Sequence, residues 1–492
     1  MGRPLLRVAD LRRIEQAAQQ DLPVGELMQR AGRAAARVVA RIAASRAGQV
    51  VVLCGPGNNG GDGYACAAEL RAAGGDAICW APQAPASDDA RAARLRYVDG
   101  GGAVITTLPS SSQRIAVVVD AMFGIGLARQ LAGPYLHAAG WAGALAAPVV
   151  AVDVPSGIDA DTGAWVGGCR GVNARCTITF LADKPGLHTF DGCDASGYVE
   201  VDTLGVDPQP STLHLFDEVD AAAVDVARPR NSHKGTFGDA WIVGGGIGMV
   251  GAPLLAARAA LRLGAGRVFV DCIGAPDLRI DPLQPELMFR PLAASSRADS
   301  LVVGCGLGTG IEAGAALEQA LSLPVRVLVA DADALNLLAG DGELRRRFAA
   351  HPATRVVTPH PLEAARLLQR DIAAVLADRV AAACELASTL RAIAVLKGAG
   401  TVVAAPDGRA GINASGSPAL ATPGSGDVLA GMIAALAARA PDVPAAVALG
   451  VWLHGAAADE HGSDCGLVAG EIAALASRVR SRLRERATAT GR

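Results

Sequence analysis

The sequence predicts an α/β fold in two domains, on three observations. Runs of β-branched residues ending in Gly, Asp or Ser recur in both halves, helical patterns lie between them, and the alternation lapses once, between residues 204 and 229. Such runs are what strands buried on both faces of a parallel sheet look like, and the ligands of these sheets bind at the strands' carboxyl ends. Amphipathic helices are expected over 8–19 and 24–42. Strand segments follow at 50–57, 115–124 and 149–157, with a helical pattern at 63–73 after the first of them. The lapse contains Pro208, Pro210 and an acidic stretch at 217–220, which sets the domains at 1–215 and 228–492 and a linker at 216–227. Beyond it, strand-then-loop segments return at 240–246, 301–308, 327–333, 356–361 and 394–401, and 401–408 reads as a strand and turn of a hairpin. The two halves differ in loop chemistry, so they are not a tandem repeat. The Arg-rich tail from residue 473 reads as a helix with a solvated face and a frayed end.

Composition narrows the function. A chain of 492 residues, 51% apolar, has ample material for real cores. A net charge of −3 and a pI near 6.3, with no basic block or stripe, argue against nucleic-acid or anionic-membrane partners and for small molecules. Arg3, Arg7, Arg12 and Arg13 interrupt the apolar residues at the start, unlike a signal peptide, and Arg258 and Arg262 interrupt the Ala-rich run at 254–263. The expectation is a cytoplasmic protein. Ten cysteines form no CxxC pair and no zinc spacing, so they are read as small buried thiols. Only three lysines occur, Lys184, Lys234 and Lys397, each beside Gly or Pro. Where Arg supplies nearly all the positive charge, a Lys hints that a compact ammonium is wanted.

The most informative segment is Asn413-Ala-Ser-Gly-Ser-Pro, followed by Thr422-Pro-Gly424-Ser425-Gly426-Asp427 and an apolar-periodic run. Glycines let backbone N–H groups approach phosphate oxygens, a helix start adds about half a positive charge, and Asp427 can take a proton from an attacking hydroxyl. The alternative is a plain N-cap by Ser425 or Asp427. Lys397-Gly398-Ala399-Gly400-Thr401 puts a Lys and flexible backbone at another strand tip. Thr358-Pro359-His360-Pro361 fixes His360 in an extended loop, as a substrate contact or as core. Asp331 and Asp333 either cap a helix beginning near Ala334 or help to place a cation.

These residues resemble the ribokinase-like superfamily. The strings His233-Lys-Gly-Thr-Phe-Gly, Asp331-Ala-Asp-Ala-Leu-Asn336, Thr358-Pro-His-Pro, Leu396-Lys-Gly-Ala-Gly-Thr401 and Ala421 to Gly431 are similar to its ADP-dependent NAD(P)H-hydrate dehydratases. The resemblance implies a ribokinase-like α/β/α domain. Lys397, Gly398, Ala399, Gly400, Thr401 and Gly426 would bind the adenine nucleotide. Ala252, Gly308, His360 and Asp427 would line the hydrate pocket, with Asp427 as base. Phosphorylation of the hydrate's hydroxyl makes it a leaving group, and Mg²⁺ would neutralise the phosphates of ADP. Two departures, Cys305 for a usual Pro and Pro423 for a usual Gly, spare the functional glycines.

In the first half, Gly55-Pro-Gly-Asn58-Asn59-Gly60-Gly61-Asp62-Gly63 leads from a strand into a helix, and a bare Gly-rich turn of this kind is a weak signal. Two asparagines and an acid among the glycines need more explanation. Asn59, Asp120 and Ser156 lie at three strand tips, and such oxygen donors suit a hard cation. Together with Leu27-Met28, Ala31-Gly32, Asp120 to Gly126 and Asp153-Val-Pro-Ser-Gly157, the region resembles the NAD(P)H-hydrate epimerase domain, a Rossmann-like three-layer α/β/α sandwich. By that resemblance Asn58, Asn59, Gly60, Gly61, Asp62, Gly124, Ile125, Gly126, Leu127, Ala128, Arg129, Gln130, Tyr135 and Asp153 would hold the hydrate. Asn59, Asp120 and Ser156 would hold K⁺. Asp153 is the acid/base candidate, although the resemblance assigns it binding more firmly than proton transfer. Gln29 departs from a usual Glu, and Lys184 is read as structural or peripheral.

The two resemblances span roughly residues 8–470 and imply consecutive steps of one repair reaction. R and S epimers of the hydrates NADHX and NADPHX would be interconverted, and the S epimer dehydrated at the expense of ADP, releasing AMP and phosphate. A homo-oligomer is expected. Two other readings remain open at this point: a small-molecule kinase, which would release a phosphorylated product and prefer ATP, and a non-catalytic first half attached to an active second half.

Overall fold

A computed structural model describes every residue except 1, 111, 208 and 490–492, so Pro208, one of the prolines marking the boundary, lies outside the described residues. The chain forms two compact units, Pro4–Ser211 and Thr212–Arg492, the second joined by residues 1–3. Strand β1 (Arg3–Pro4) begins within those residues and edges the second unit's sheet.

In the first unit, α1 (Val8–Asp21) and α2 (Glu26–Ala43) precede β2 (Gln49–Cys54), α3 (Asn58–Ala72), β3 (Ala77–Trp80), α4 (Asp88–Asp99) and β4 (Val104–Ile105). There follow β5 (Ile115–Ala121), α5 (Gly133–Gly143), β6 (Val149–Val152), β7 (Cys176–Phe180), α6 (Gly192–Ala195) and β8 (Tyr198–Asp202). The seven strands order as β4-β3-β2-β5-β6-β7-β8, every pair parallel. Alternation along β2 feeds two cores. Val50, Val52 and Cys54 pack with residues of α2 and α3, while Val51 and Leu53 face Ala138 and Ala142 of α5. Burial on both faces is why β2 runs from Val50 to Cys54 without a polar residue, and burying a Val or Leu there is worth about 1.5–3 kcal/mol. The glycines of the Asn58–Ala72 helix are needed for packing: a Cβ on Gly63 would stand 2.6 Å from Ala121 Cβ, and one on Gly60 1.9 Å from the Gly55 carbonyl oxygen.

The second unit runs β9 (Leu213–Phe216), α7 (Glu218–Val224), β10 (Asp239–Gly244), α8 (Gly251–Arg262), β11 (Arg267–Cys272), β12 (Met288–Phe289), β13 (Ala298–Val303), α9 (Ile311–Ala320) and β14 (Val325–Ala330). It continues through α10 (Asp333–Gly340), α11 (Gly342–Ala350), β15 (Thr354–Val357), α12 (Pro361–Leu368), α13 (Ile372–Ala377), α14 (Arg379–Leu390) and β16 (Ile393–Leu396). The hairpin β17 (Val402–Ala404) and β18 (Ala410–Asn413) then leads to α15 (Ser425–Ala437), α16 (Val443–His461) and α17 (Ala469–Ala489). Its sheet orders as β1-β9-β18-β17-β16-β15-β14-β13-β10-β11-β12, parallel from β16 to β12 and antiparallel through the hairpin. Helices α8, α15, α16 and α17 share one core with Ile242, Val302, Val327, Val329 and Val356.

Two sequence expectations need correction here. Residues 216–227, expected as a linker, are folded: Asp217 caps α7 by accepting from the backbone N–H of Val219 and Asp220. Asp225, 1% exposed, then receives Arg480 and Arg484 of α17, each at 2.7 Å. The Arg-rich tail is therefore not simply a solvated face, because two of its guanidiniums anchor the segment that leads into the second sheet.

Candidate functional site

In the first unit the strand order reverses between β2 and β5, the position where open α/β sheets leave a crevice at their carboxyl ends. A cavity of about 640 Å³ opens there. Its walls include Asn58, Asn59 and Asp62 from the start of α3, Gly124, Ile125, Gly126 and Leu127 after β5, Asp153 after β6, and Lys184 after β7. Gly60 and Gly61 are buried in α3 behind this wall, and Ala128, Arg129 and Gln130 are exposed beyond it. Tyr135 stands a layer back on α5, its ring 4.9 Å from that of Phe123 and 5.9 Å from that of Trp80, its hydroxyl donating to Gln83 Oε1 at 3.2 Å. Gln29 is outside the walls, with its side-chain nitrogen buried and unpartnered.

Asp153 is the most constrained of these residues. Its φ of 70° is left-handed, a conformation that costs a non-glycine residue roughly 1–3 kcal/mol unless the surroundings impose it. They do: its N–H donates to Ile178 O at 2.7 Å, Oδ2 accepts from the Ile125 N–H at 3.0 Å, and Oδ1 lies 3.0 Å from Lys184 Nζ. Lys184, 1% exposed, also donates to Thr179 Oγ1 at 2.5 Å, Phe180 O at 3.0 Å and Ala182 O at 3.2 Å. Of the two sequence readings of Lys184, the peripheral one fails, because the side chain is buried at the cavity wall and holds its own loop and Asp153 together. Two further carboxyls face the same cavity. Burial, then the charges of Asp153 and Glu15, push Asp62 well above the ordinary range, and burial and Asp153 raise Glu15 of α1. No sequence signal marked Glu15, which sits on an ordinary amphipathic helix.

Below the cavity, Asp120 accepts from Ser156 N and Ser156 Oγ, both at 2.7 Å, and from Met122 N at 3.2 Å. Burial outweighs these bonds and lifts its carboxyl to about 6. Both amide atoms of Asn59 are buried without a partner. The Asn59 amide oxygen, the Asp120 carboxylate and the Ser156 hydroxyl are oxygen donors of the kind that could hold a hard cation.

In the second unit the tips of β13, β14, β15 and β16 meet the start of α15. Gly424, at φ 86°, is the N-cap of α15 and no side chain caps it, so neither Ser425 nor Asp427 is a capping residue. Ser425 Oγ instead donates to Leu420 O at 2.9 Å. Lys397 Nζ lies 3.0 Å from Asp331 Oδ1 and 4.0 Å from Glu363 Oε2, and Thr358 Oγ1 donates to Asp331 Oδ1 at 2.7 Å. Burial opposes the Lys397 ammonium, but Asp331 and Glu363 carry its pKa above the ordinary value. A Cβ on Gly426 would stand 3.3 Å from that ammonium, so the helix start and the Lys approach at backbone distance. Burial and Asp331 raise Asp427 to about 6, while the Cys305 thiol hydrogen-bonds to it.

The capping reading of Asp331 and Asp333 fails. Ala332, at φ 49°, is the N-cap of α10, which turns Asp331 towards Lys397 and lets Asp333 Oδ2 accept from the Gly308 N–H at 2.8 Å. Among the described residues, ligand atoms of Cys305, Asp331 and Asp427 lie within 4.8 Å of one another, but Lys397 already neutralises Asp331. His360 caps α12, its Nδ1 accepting from Leu362 N at 3.1 Å and Glu363 N at 3.3 Å. Burial, then Lys397, lower its pKa, and burial lifts Glu363 to about 7. Ala252 lies at the start of α8 against the Gly304–Gly308 turn, where a Cβ on Gly306 would be 3.0 Å from its own Cβ.

Sequence reasoning missed two supports of this site. Arg379, 1% exposed at the start of α14, donates to Leu396 O at 3.3 Å, Lys397 O at 3.2 Å and Ala399 O, holding the turn that carries Gly398 and Gly400. His454, buried in α16 with its pKa lowered to about 4 by burial, is neutral and faces Ser425 O at 2.9 Å. Thr401 Oγ1 closes the turn onto Gly398 O at 3.0 Å. The arrangement offers a base poised near neutrality, a fixed ammonium and glycine backbone around one point, which is what a phosphoryl transfer to a hydroxyl requires.

Known proteins match both units. A family model described as NAD(P)H-hydrate dehydratase matches residues 240–478, and one described as YjeF-related protein N-terminus matches 24–186. The bifunctional NAD(P)H-hydrate repair enzyme Nnr of Escherichia coli is 38% identical over 464 residues, covering 92% of this chain and 88% of that protein. The protein of the same description from Thermofilum pendens is 35% identical over 499 residues, 93% of each. Among solved structures, an ADP/ATP-dependent NAD(P)H-hydrate dehydratase from Bacillus subtilis, co-crystallised with ATP/Mg²⁺, aligns with a TM-score of 0.50 and 30% identity over 55% of this chain and 98% of that one.

Proposed function

This chain belongs to the family of bifunctional NAD(P)H-hydrate repair enzymes, and from that premise we propose how its two sites divide the work. The first unit epimerises the R and S hydrates, and the second dehydrates the S epimer in a nucleotide-dependent step that returns NAD(P)H. Hydration across the ring's C5–C6 bond gives both epimers at C6, so a stereospecific dehydratase needs the partner activity to clear the whole pool.

In the second unit Asp427 takes the proton of the hydrate's hydroxyl as the phosphoryl group arrives. The observation that carries this assignment is its placement: a carboxyl raised to about 6, in the first turn of α15, beside the ion pair of Lys397 and Asp331. Lys397, Gly398, Ala399, Gly400, Thr401 and Gly426 hold the nucleotide, and Ala252, Gly308 and His360 border the hydrate. ADP is the donor, leaving AMP and phosphate. Mg²⁺ fits as the nucleotide's own ion, held on its phosphates, because the nearby carboxylate of Asp331 is already paired with Lys397. When bound, it neutralises charge developing on the phosphates.

In the first unit Asn58 to Asp62, Gly124 to Gln130, Tyr135 and Asp153 form the hydrate site and its supporting loop. Asp153, with both carboxylate oxygens engaged, orients the loop at Ile125 and Lys184 rather than standing free to exchange protons. K⁺ fits the oxygens of Asn59, Asp120 and Ser156, since the Asn59 amide oxygen is otherwise unsatisfied, and it would balance the negative charge of an ionised, buried Asp120. We further propose that the protein is cytoplasmic and homo-oligomeric. No helix among the described residues is long and apolar enough to cross a membrane.

The test mixes purified protein, Mg²⁺, K⁺ and ADP with both epimers of NADH hydrate and follows the return of dihydronicotinamide absorbance. Fast return of the whole signal is expected. Fast return of only one epimer's share would remove the epimerase assignment. No return with ADP would remove the donor assignment, and no return with ATP either would remove the dehydratase assignment.

A further inference from the structure

Of the carboxyls at the epimerase cavity, the one the sequence offered as acid/base is the least available. Asp153 is tied on one oxygen by a backbone N–H and on the other by a buried ammonium, and its own backbone is locked in a left-handed conformation. Glu15 and Asp62 differ on each point. They come from α1 and α3, both line the cavity, and neither makes a side-chain hydrogen bond or ion pair among the described residues. The other charged groups on the cavity wall are Arg12, Asp89 and Lys184. Lys184 is committed to Asp153 and to three oxygens of its own loop.

We propose that Glu15 and Asp62 are the proton-transfer pair of the epimerase, and that Lys184 acts as a positioning residue through Asp153. The inference rests on the epimerase reading above and names the groups that carry it out. The hydrate is a carbinolamine, with a hydroxyl and the ring nitrogen N1 on the same carbon, C6. Inversion there needs no oxidant. One carboxylate takes the hydroxyl proton as the C6–O bond becomes a carbonyl and the C6–N1 bond breaks. Its electron pair goes to N1, which receives the proton of the second carboxyl. Rotation about C5–C6 presents the other face of the aldehyde. Reclosure then reverses each transfer, so that N1 attacks C6, the N1 proton returns to the second carboxyl, and the oxygen recovers its proton from the first.

The step needs one carboxyl ionised and its neighbour protonated at the same pH. Two acids sharing a partly desolvated cavity with a third, fixed carboxylate provide that, because like charges at close range do not all ionise together. Burial and Asp153 raise both carboxyls, and the charge of Glu15 raises Asp62 further. Lys184, by neutralising Asp153, keeps that third charge from suppressing both.

The experiment uses the full chain and the isosteric variants Glu15→Gln and Asp62→Asn, with the dehydratase half as internal control. S hydrate alone reports dehydration, and R hydrate reports epimerisation followed by dehydration. Each variant is expected to slow the conversion of R hydrate at least about 100-fold with the S reaction unchanged, and to lose one limb of the pH profile of epimerisation. Lys184→Met is expected to shift that profile while leaving both limbs present. Full epimerisation by Glu15→Gln, with both limbs intact, would overturn the pair. An R reaction absent from the unsubstituted protein would instead overturn the epimerase reading itself. Loss of the S reaction in a variant would show misfolding, and Glu15→Asp, which keeps the carboxyl, then decides: recovery of both activities supports the pair, and recovery of the S reaction alone, with R conversion at the uncatalysed rate, overturns a simple proton-transfer role.

Discussion

If Asp427 is the base of the dehydratase, acid should silence the enzyme earlier than an ordinary carboxylate would. Burial and the neighbouring Asp331 hold its carboxyl near 6, against an ordinary 3.8. Activity that requires the ionised form then falls to about half its plateau near that pH and to about a tenth one unit lower. An unperturbed Asp would still be more than about nine-tenths ionised there. The assay is kcat/KM for S hydrate with saturating ADP and Mg²⁺, followed by dihydronicotinamide absorbance across the acid range, with the nucleotide's own titration measured separately. Asp427→Asn should lower the plateau by about 10²–10⁴ and flatten the limb. Cys305→Ala should keep the plateau but move the limb upward, because the thiol's hydrogen bond is one of the forces lowering the Asp427 carboxyl. A limb that persists in Asp427→Asn, or one lying in the ordinary carboxylate range, would refute the assignment.

Gly426→Ala places a methyl 3.3 Å from Lys397 Nζ, so KM for ADP should rise about tenfold while thermal stability changes by under about 1 kcal/mol; an unchanged KM would put the ammonium elsewhere in the nucleotide complex. Asp225→Asn leaves Arg480 without its buried partner and should cost about 3–5 kcal/mol in urea unfolding. The two guanidiniums outweigh burial and lower the Asp225 carboxyl, so its contribution is present above the unfolded value and lost as pH falls through the folded one; a stability unmoved by that acid shift would contradict the pairing. For Asp120 the sign is opposite: with a folded value of about 6 against 3.8, ionisation costs stability as pH rises through that window. K⁺ should therefore raise Tm most above about pH 6, and Asp120→Asn should abolish the effect; equal stabilisation by tetramethylammonium would argue against an inner site.

The sheets were legible because their central strands are buried on both faces, which leaves runs such as 50–54, 115–119 and 327–330 without polar interruption. Strand β3, four residues of Ala, Ile, Cys and Trp with a single β-branched residue, is too short to stand out as such a run, and the folded stretch after Asp217 was hidden by its acidic composition. At the sites, sequence placed the strand tips but not the partnerships across them. Asp331 looks like a cap until Ala332 takes a left-handed φ and turns it onto Lys397. Lys184 was marked only by the rarity of lysine, while Glu15 and Arg379 reach their sites from helices whose local pattern says nothing of what they face.

That rarity also makes the protein unusually easy to interrogate by amine chemistry. Of its three lysines, Lys184 is enclosed and Lys397 is held by Asp331, whereas Lys234 is exposed. Acylating reagents should therefore mark Lys234 at once and, apart from the chain's α-amine, find only two slow sites, one in each half of the molecule. The rate at which each slow amine is labelled becomes a separate clock for the opening of its own site, read by mass spectrometry without any substitution, and the two clocks should be slowed independently by hydrate and by nucleotide.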